Sequence, residues 1–204
     1  MEIYNEQVRD LLETGSEKKS YEIRNPATPG SDMMVTNLRV ETVSSAGEVY
    51  SLLNIARRNR AVAATVHNDY SSRSHFVFKL RLLGENENTG KKVDAVLSLV
   101  DLAGSEKLVE ISENARVAET KNINRSLSNL GNVILALSRK NEHVPYRNSK
   151  LTHLLQTSLG GNSKTLMLVN LSPKEDAVEE TLNSLRFATR VNECYVGRAQ
   201  RNIK

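Results

Sequence analysis

Short apolar runs bounded by turn-forming residues fall at about residues 1–5, 33–40, 74–83, 93–101 and 164–171, a pattern that predicts strands. Within the fourth, Ala95-Val96-Leu97-Ser98-Leu99-Val100 is apolar at nearly every position, the signature of a strand buried on both faces. Between the runs, apolar residues recur at helical spacing. Ser45-Ala46-Gly47-Glu48 has capping-box spacing and opens a helix to about residue 60, with Val49, Leu52, Leu53 and Ala56 on one side. Ile123, Leu127, Leu130, Ile134 and Leu137 form a stripe on a helix over about 121–138. Further helices are expected over about 147–157 and 179–192, the last preceded by Pro173 and by Asp176 as its cap. Glu85-Asn86-Glu87-Asn88-Thr89-Gly90 reads as a polar hairpin tip. Strands alternating with helices predict an α/β layered fold with a mixed central sheet and helices on both faces. Met1 stands at the head of the strand-like Glu2-Ile3-Tyr4, so the chain reads as one that begins inside an element.

Composition adds little to that pattern and charge adds more. The 204 residues, 39% hydrophobic and 25% charged, suit one domain with a sizeable core. A single cysteine, Cys194, permits no intrachain disulfide and fits a reducing compartment, and no run is long enough to span a membrane. Positions 116–164 hold eight basic residues against two acidic ones, more than the net charge of +4 for the whole chain. Such a zone is either a contact face for a polyanionic partner, nucleic acid or an acidic protein polymer, or a solvated face. Nucleic acid is the weakest of these, since neither aromatic stacking motifs nor a recognition helix is evident.

Two motifs carry candidate chemistry. Leu97-Ser98-Leu99-Val100-Asp101-Leu102-Ala103-Gly104-Ser105-Glu106 brings an acid to the carboxyl end of an apolar strand and follows it with Asp-x-x-Gly. An acid so placed can hold magnesium through water, and a glycine N–H can approach a phosphate with no side chain in the way. Asn68-Asp69-Tyr70-Ser71-Ser72-Arg73-Ser74-His75 supplies hydroxyl and amide groups and one guanidinium suited to a carboxylate such as Glu106. The first motif alone is equally compatible with an ordinary acidic turn, and loops rich in Ser and Asn, like the second, are usually just loops. Gly160-Gly161-Asn162-Ser163-Lys164-Thr165 lacks the Gly-x-x-x-x-Gly-Lys-Ser/Thr spacing of a phosphate loop and reads as a helix end feeding a strand. His67, His75, His143 and His153 have no partner spacing suited to structural zinc.

In this order, Asn68-x-x-Ser71-Ser72-Arg73-Ser74-His75 and Asp101-Leu102-Ala103-Gly104-Ser105-Glu106 resemble the switch I and switch II sequences of kinesin motors. Glu2-Ile3-Tyr4-Asn5-Glu6, Asn122-Ile123-Asn124-Arg125-Ser126-Leu127 and His143-Val144-Pro145-Tyr146-Arg147-Asn148-Ser149-Lys150-Leu151-Thr152 extend the resemblance, as do Ser158-Leu159-Gly160-Gly161-Asn162-Ser163 and Ser184-Leu185-Arg186-Phe187-Ala188. It covers essentially the whole chain. The ending, Phe187-Ala188-x-x-Val191-Asn192-x-Cys194, is similar to the minus-end-directed kinesins that carry their motor at the C-terminus, and Glu119-Thr120-Lys121-Asn122-Ile123-Asn124-Arg125-Ser126 points the same way.

The resemblance implies a kinesin-type P-loop NTPase fold, with 1–204 a partial motor domain that lacks the P-loop part. It implies ATP and Mg2+ as ligands. Ser72 and Asp101 would hold the metal, Asn68 and Ser71 would line the phosphate pocket, and Gly104 would sense the terminal phosphate through its N–H. Arg73 and Glu106 would pair to position the attacking water, and Asn124 would relay closure along its helix. Lys121, His143, Tyr146, Arg147 and Lys150 would meet the acidic surface of tubulin. A dimer through a coiled coil outside this chain, and a place in the cytoplasm on microtubules or the spindle, are implied as well, with no nucleic-acid or membrane partner. Without the backbone cradle of a P-loop, the chain alone is expected to hydrolyse ATP negligibly, and a non-hydrolysing microtubule-binding protein is the rival expectation. Apolar surface and open sheet edges are expected to be exposed.

Overall fold

In the computed structural model the described residues are all but 14, 16–18, 27–30, 65–69, 106–113 and 195–204, and side chains are described except also at 62–64, 70, 71 and 114–124. Strand β1 (Glu2–Tyr4) turns through Asn5 and Glu6, both at positive φ (50° and 59°), into β2 (Gln7–Arg9). Two left-handed residues in a two-residue loop match the right-handed twist of the flanking strands. Glu6 is an unusual occupant of that conformation, and its carboxylate accepts the Lys150 N–H at 2.9 Å. Two short strands, β3 (Ile23–Arg24) and β4 (Met34–Val35), pair as a separate ribbon.

Helix α1 (Ala46–Ala64) starts at Ser45, whose hydroxyl accepts the Glu48 N–H at 3.3 Å. The Glu48 carboxylate reaches back to the N–H of Ser44 at 2.8 Å, one residue earlier than a standard capping box. The long hairpin of β5 (Ser74–Glu85) and β6 (Lys92–Asp101) follows, and its tip is organised by Asn86, whose side-chain oxygen accepts the N–H groups of Asn88 and Thr89. The sheet order is β2-β1-β5-β6, and every pairing among the described strands is antiparallel. Helix α2 (Asn114–Ser138) is followed by a 3-10 turn (Tyr146–Asn148), then by α3 (Lys150–Leu154), α4 (Gln156–Gly160) and α5 (Val178–Asn192).

The core lies where Ile3, Val8 and Val77 of the sheet meet Leu151, Leu154 and Leu155, with Ile23 and Met33 of the ribbon closing one side. Asp32 staples that side, accepting from Lys79 Nζ at 2.7 Å and from the Thr157 hydroxyl at 2.6 Å. Helix α2 buries Leu130 and Ile134 as its stripe predicts, and also Val133 and Ala136, while Leu127 and Leu137 are half-buried. The Ile123 side chain lies outside the described residues.

Four expectations are corrected. Strand β6 is not buried on both faces: it is the outermost described strand, paired only with β5, and Val96, Leu97 and Leu99 are exposed. Segment 164–171 alternates in exposure but forms no described strand, because no neighbour among the described residues offers it a ladder; Leu166 and Leu168 are 83% and 78% exposed. The helix expected over 147–157 breaks at Leu155 into α3 and α4. Asp176 lies within a 3-10 turn (Glu175–Ala177) and does not cap α5, whose N-cap is Ala177 without a side-chain bond.

Candidate functional site

The antiparallel register of β5 and β6 decides where the two polar motifs meet. Phe76 stands opposite Asp101, so the residues before β5 and after β6 emerge at the same end of the hairpin. Ser72 and Arg73 close a 3-10 turn (Tyr70–Arg73) that leads into β5. The Gly104 N–H donates to the Ser72 carbonyl at 2.8 Å, and the Ala103 N–H donates to His75 Nδ1 at 3.0 Å. Two successive backbone donors of one motif are thus seated on the other. Asp101 projects from the strand end with its side chain 68% exposed, open to an incoming ligand.

Arg60, near the end of α1, organises the floor of this junction. One guanidinium nitrogen reaches Asp101 Oδ2 at 3.2 Å, a second reaches the Ser74 carbonyl at 3.1 Å and the Ser74 hydroxyl at 3.2 Å, and Nε lies 3.3 Å from Glu2 Oε1. The guanidinium also stacks 5.5 Å from the Phe76 ring centroid. Glu2 is fully buried, and a carboxylate there is tolerable because Arg60 and, at 4.0 Å, Arg9 supply compensating charge. In the sequence, Arg60 marks only the approximate end of the predicted helix. Its partner Asp101 is 41 positions away, and only the fold brings them together.

The structure therefore brings together Ser72, Arg73, Asp101 and Gly104. Asn68 and Glu106 lie outside the described residues, as do the side chains of Ser71, Lys121 and Asn124. The remaining basic-face residues cluster after α2: His143 and Arg147 are exposed, and Tyr146 and Lys150 are half-buried. Tyr146 packs over Gly160, where an added Cβ would fall 1.8 Å from its hydroxyl oxygen, so the glycine is required by this contact. Burial, with the nearby Cys194 adding to it, raises the Tyr146 pKa. Burial and the cations Arg147 and Lys150 hold His153 below its usual pKa, which registers the positive field of this face. Ser149 caps α3, its hydroxyl accepting the Thr152 N–H at 3.1 Å. No group of three or more histidine, cysteine or acidic side chains is placed to hold a metal among the described residues, and no described helix is long and apolar enough to cross a membrane.

Two loops, one hydroxylic and one acidic with a glycine N–H, are thus joined at a strand end, beside a helix that leads to a cationic surface. Comparison with known proteins fixes the family. Residues 1–194 match the kinesin motor domain model, and the chain belongs to that family. It is 55% identical to human kinesin-like protein KIFC1, covering 100% of this chain and 32% of that protein, and 54% identical to carboxy-terminal kinesin 2 of Xenopus laevis, with the same coverage. The motor domain of the Saccharomyces cerevisiae kinesin-related protein Kar3 superposes with a TM-score of 0.78 at 47% identity, over 94% of this chain and 58% of that one. A fast kinesin gives a TM-score of 0.86 at 42% identity, over 100% of this chain and 57% of that one. The chain thus spans about a third of the length of these curated relatives.

Proposed function

We propose that this chain is the switch-bearing and track-binding part of an ATP-driven microtubule motor. The observation that carries the proposal is the direct backbone bond between the two motifs, Gly104 N–H to the Ser72 carbonyl. Oxygen donors from Ser72 and the exposed Asp101 carboxylate suit Mg2+, a hard cation that prefers oxygen ligands, and these two residues would hold it. Bound magnesium and ATP would supply the electrophilic phosphoryl group and neutralise its charge.

The chain's own residues would do the rest. By the resemblance to kinesin switch sequences, Asn68 and Ser71 would line the pocket, and Arg73 would pair with Glu106 to position the attacking water. The Gly104 N–H is already given to the Ser72 carbonyl, so a phosphate oxygen would compete with that carbonyl for it and draw the turn away. Phosphate binding and movement of the two loops are then one event. Asn124, on α2, would relay that movement toward Lys121, His143, Tyr146, Arg147 and Lys150, which would meet acidic tubulin. Similarity to C-terminal kinesins supports the further parts of the proposal: a dimer formed through a coiled coil, and a location on cytoplasmic and spindle microtubules.

In the full-length protein, Arg73→Ala or Glu106→Ala should lower microtubule-stimulated ATP turnover at least about 100-fold, the scale of losing one transition-state contact, while co-sedimentation with microtubules persists. Unaltered turnover in either variant refutes the assignment.

A further inference from the structure

Between the hydroxylic turn and the body of β5 stands His75, to which none of the roles above gives a task. The residue is 3% exposed, and both of its ring nitrogens are used, one on the turn after β6 and the other on α2. Nδ1 accepts the Ala103 N–H at 3.0 Å, which fixes the tautomer: that nitrogen carries no proton, so Nε2 does. Nε2–H then donates to the Ser126 hydroxyl oxygen at 2.7 Å, on α2, where Ser126 is 2% exposed. One rigid ring therefore spans from the turn after Asp101 to the helix.

The connection continues along α2. Asn129 is three residues beyond Ser126 and so lies on the same helix face, one turn further along. Its side-chain N–H donates to the Asn148 carbonyl at 3.1 Å, in the 3-10 turn that carries Tyr146 and Arg147. Neighbouring positions on one face of α2 thus hold the phosphate-side turn and the basic turn.

We infer that His75, kept as the neutral Nε2–H tautomer, is a positioning residue that fixes the Ala103–Gly104 turn to α2, and that the Ser126–Asn129 face passes the position of that turn to the basic loop. This rests on the proposed function, because it assigns a coupling path to that same site. Displacing Gly104 from Ser72 pulls on Ala103, and the ring transmits the pull to Ser126 because it has no internal rotation between its two nitrogens. Burial holds the His75 pKa down to about 4, with Arg60 adding to the depression and Asp101 opposing it, so the neutral form persists at physiological pH. A proton on Nδ1 would set two N–H groups against each other at Ala103.

The test uses the full-length protein, three single variants and one double variant. Ser126→Ala removes the acceptor with little change in volume, His75→Asn keeps an acceptor near Ala103 but does not reach Ser126, and Arg73→Ala reports on the phosphate site itself. Ser126→Ala is expected to reduce microtubule stimulation of turnover roughly 10-fold, the weight of one buried hydrogen bond, with KM for ATP within about 2-fold. The Ser126→Ala/His75→Asn double variant should be no worse than His75→Asn alone, since both remove one connection. Histidine-selective 15N spectra, with His75 assigned by its loss in His75→Asn, should show Nε2 protonated and Nδ1 bare at pH 7. Undiminished stimulation in Ser126→Ala, additive losses, or a protonated Nδ1 overturns the inference. If any of these occurs while Arg73→Ala abolishes turnover, the coupling path alone falls; if Arg73→Ala is also fully active, the proposed function falls with it.

Discussion

Two regions built from the same residue types behave in opposite ways. Ile3 and Val77 pack under α3 against Leu151 and Leu154, both 0% exposed, whereas Leu97 and Leu99 of β6 and Leu166 and Leu168 of segment 164–171 stand open to solvent. Strand-like sequence is common to both, so it cannot explain the difference. The packed region has a second layer: α3 is capped by Ser149 and tied by its first N–H to Glu6, which holds its apolar face onto the sheet. Among the described residues β6 has a ladder partner on one side only, and segment 164–171 has none. Apolar residues make a core only where another element presents a complementary face, and contiguous exposed ones mark a surface suited to covering by more protein.

Substitutions in the two regions should separate sharply. Leu151→Ala removes a fully buried side chain and should cost about 4 kcal/mol, read as a shift in the denaturant midpoint at constant slope. His75 gives the next largest effect. Its folded pKa of about 4 lies below the ordinary 6.5, so the unfolded chain takes up the proton first as pH falls. Its contribution is complete above about pH 6.5 and is lost between there and pH 4, amounting to about 3 kcal/mol, and His75→Gln should flatten that part of the stability profile. Ser149→Ala, which uncaps α3, should cost about 1 kcal/mol. Leu168→Ser, by contrast, should move the midpoint by no more than about 0.5 kcal/mol while reducing light scattering on concentration. An effect as large as that of Leu151→Ala would show that the open segment is packed in solution.

The basic turn sharpens the contrast from the functional side. Arg147→Ala with Lys150→Ala should weaken microtubule co-sedimentation by full-length protein, most clearly at moderate salt, where screening already trims the attraction. Salt-dependent binding equal to that of the parent protein would remove the basic face from the proposal.

What could be foreseen from the sequence divides along the same line. Helices α1 and α5 and the β5–β6 hairpin were legible because periodicity, a capping serine and a turn glycine are local signals. Strands β2 and β3 are three and two residues long, too short to show a period. The interruption at Leu155 leaves the apolar spacing intact and is invisible to it. Burial of β6 and pairing of segment 164–171 depend on distant neighbours, which an apolar run does not specify. At the site, the motifs named Ser72, Arg73, Asp101 and Gly104. Arg60 and the His75–Ser126 contact went unseen because their partners are 41 and 51 positions away.

The central claim, that the turns around Ser72 and Asp101 converge on one magnesium-bound triphosphate, is tested most directly by iron-mediated cleavage. Fe2+ in place of Mg2+, bound with ATP to full-length protein in the presence of ascorbate and oxygen, should cut the backbone near both residue 72 and residue 101, and excess Mg2+ should suppress both cuts together. Cleavage at only one of the two positions, or at neither, would contradict convergence on a shared metal.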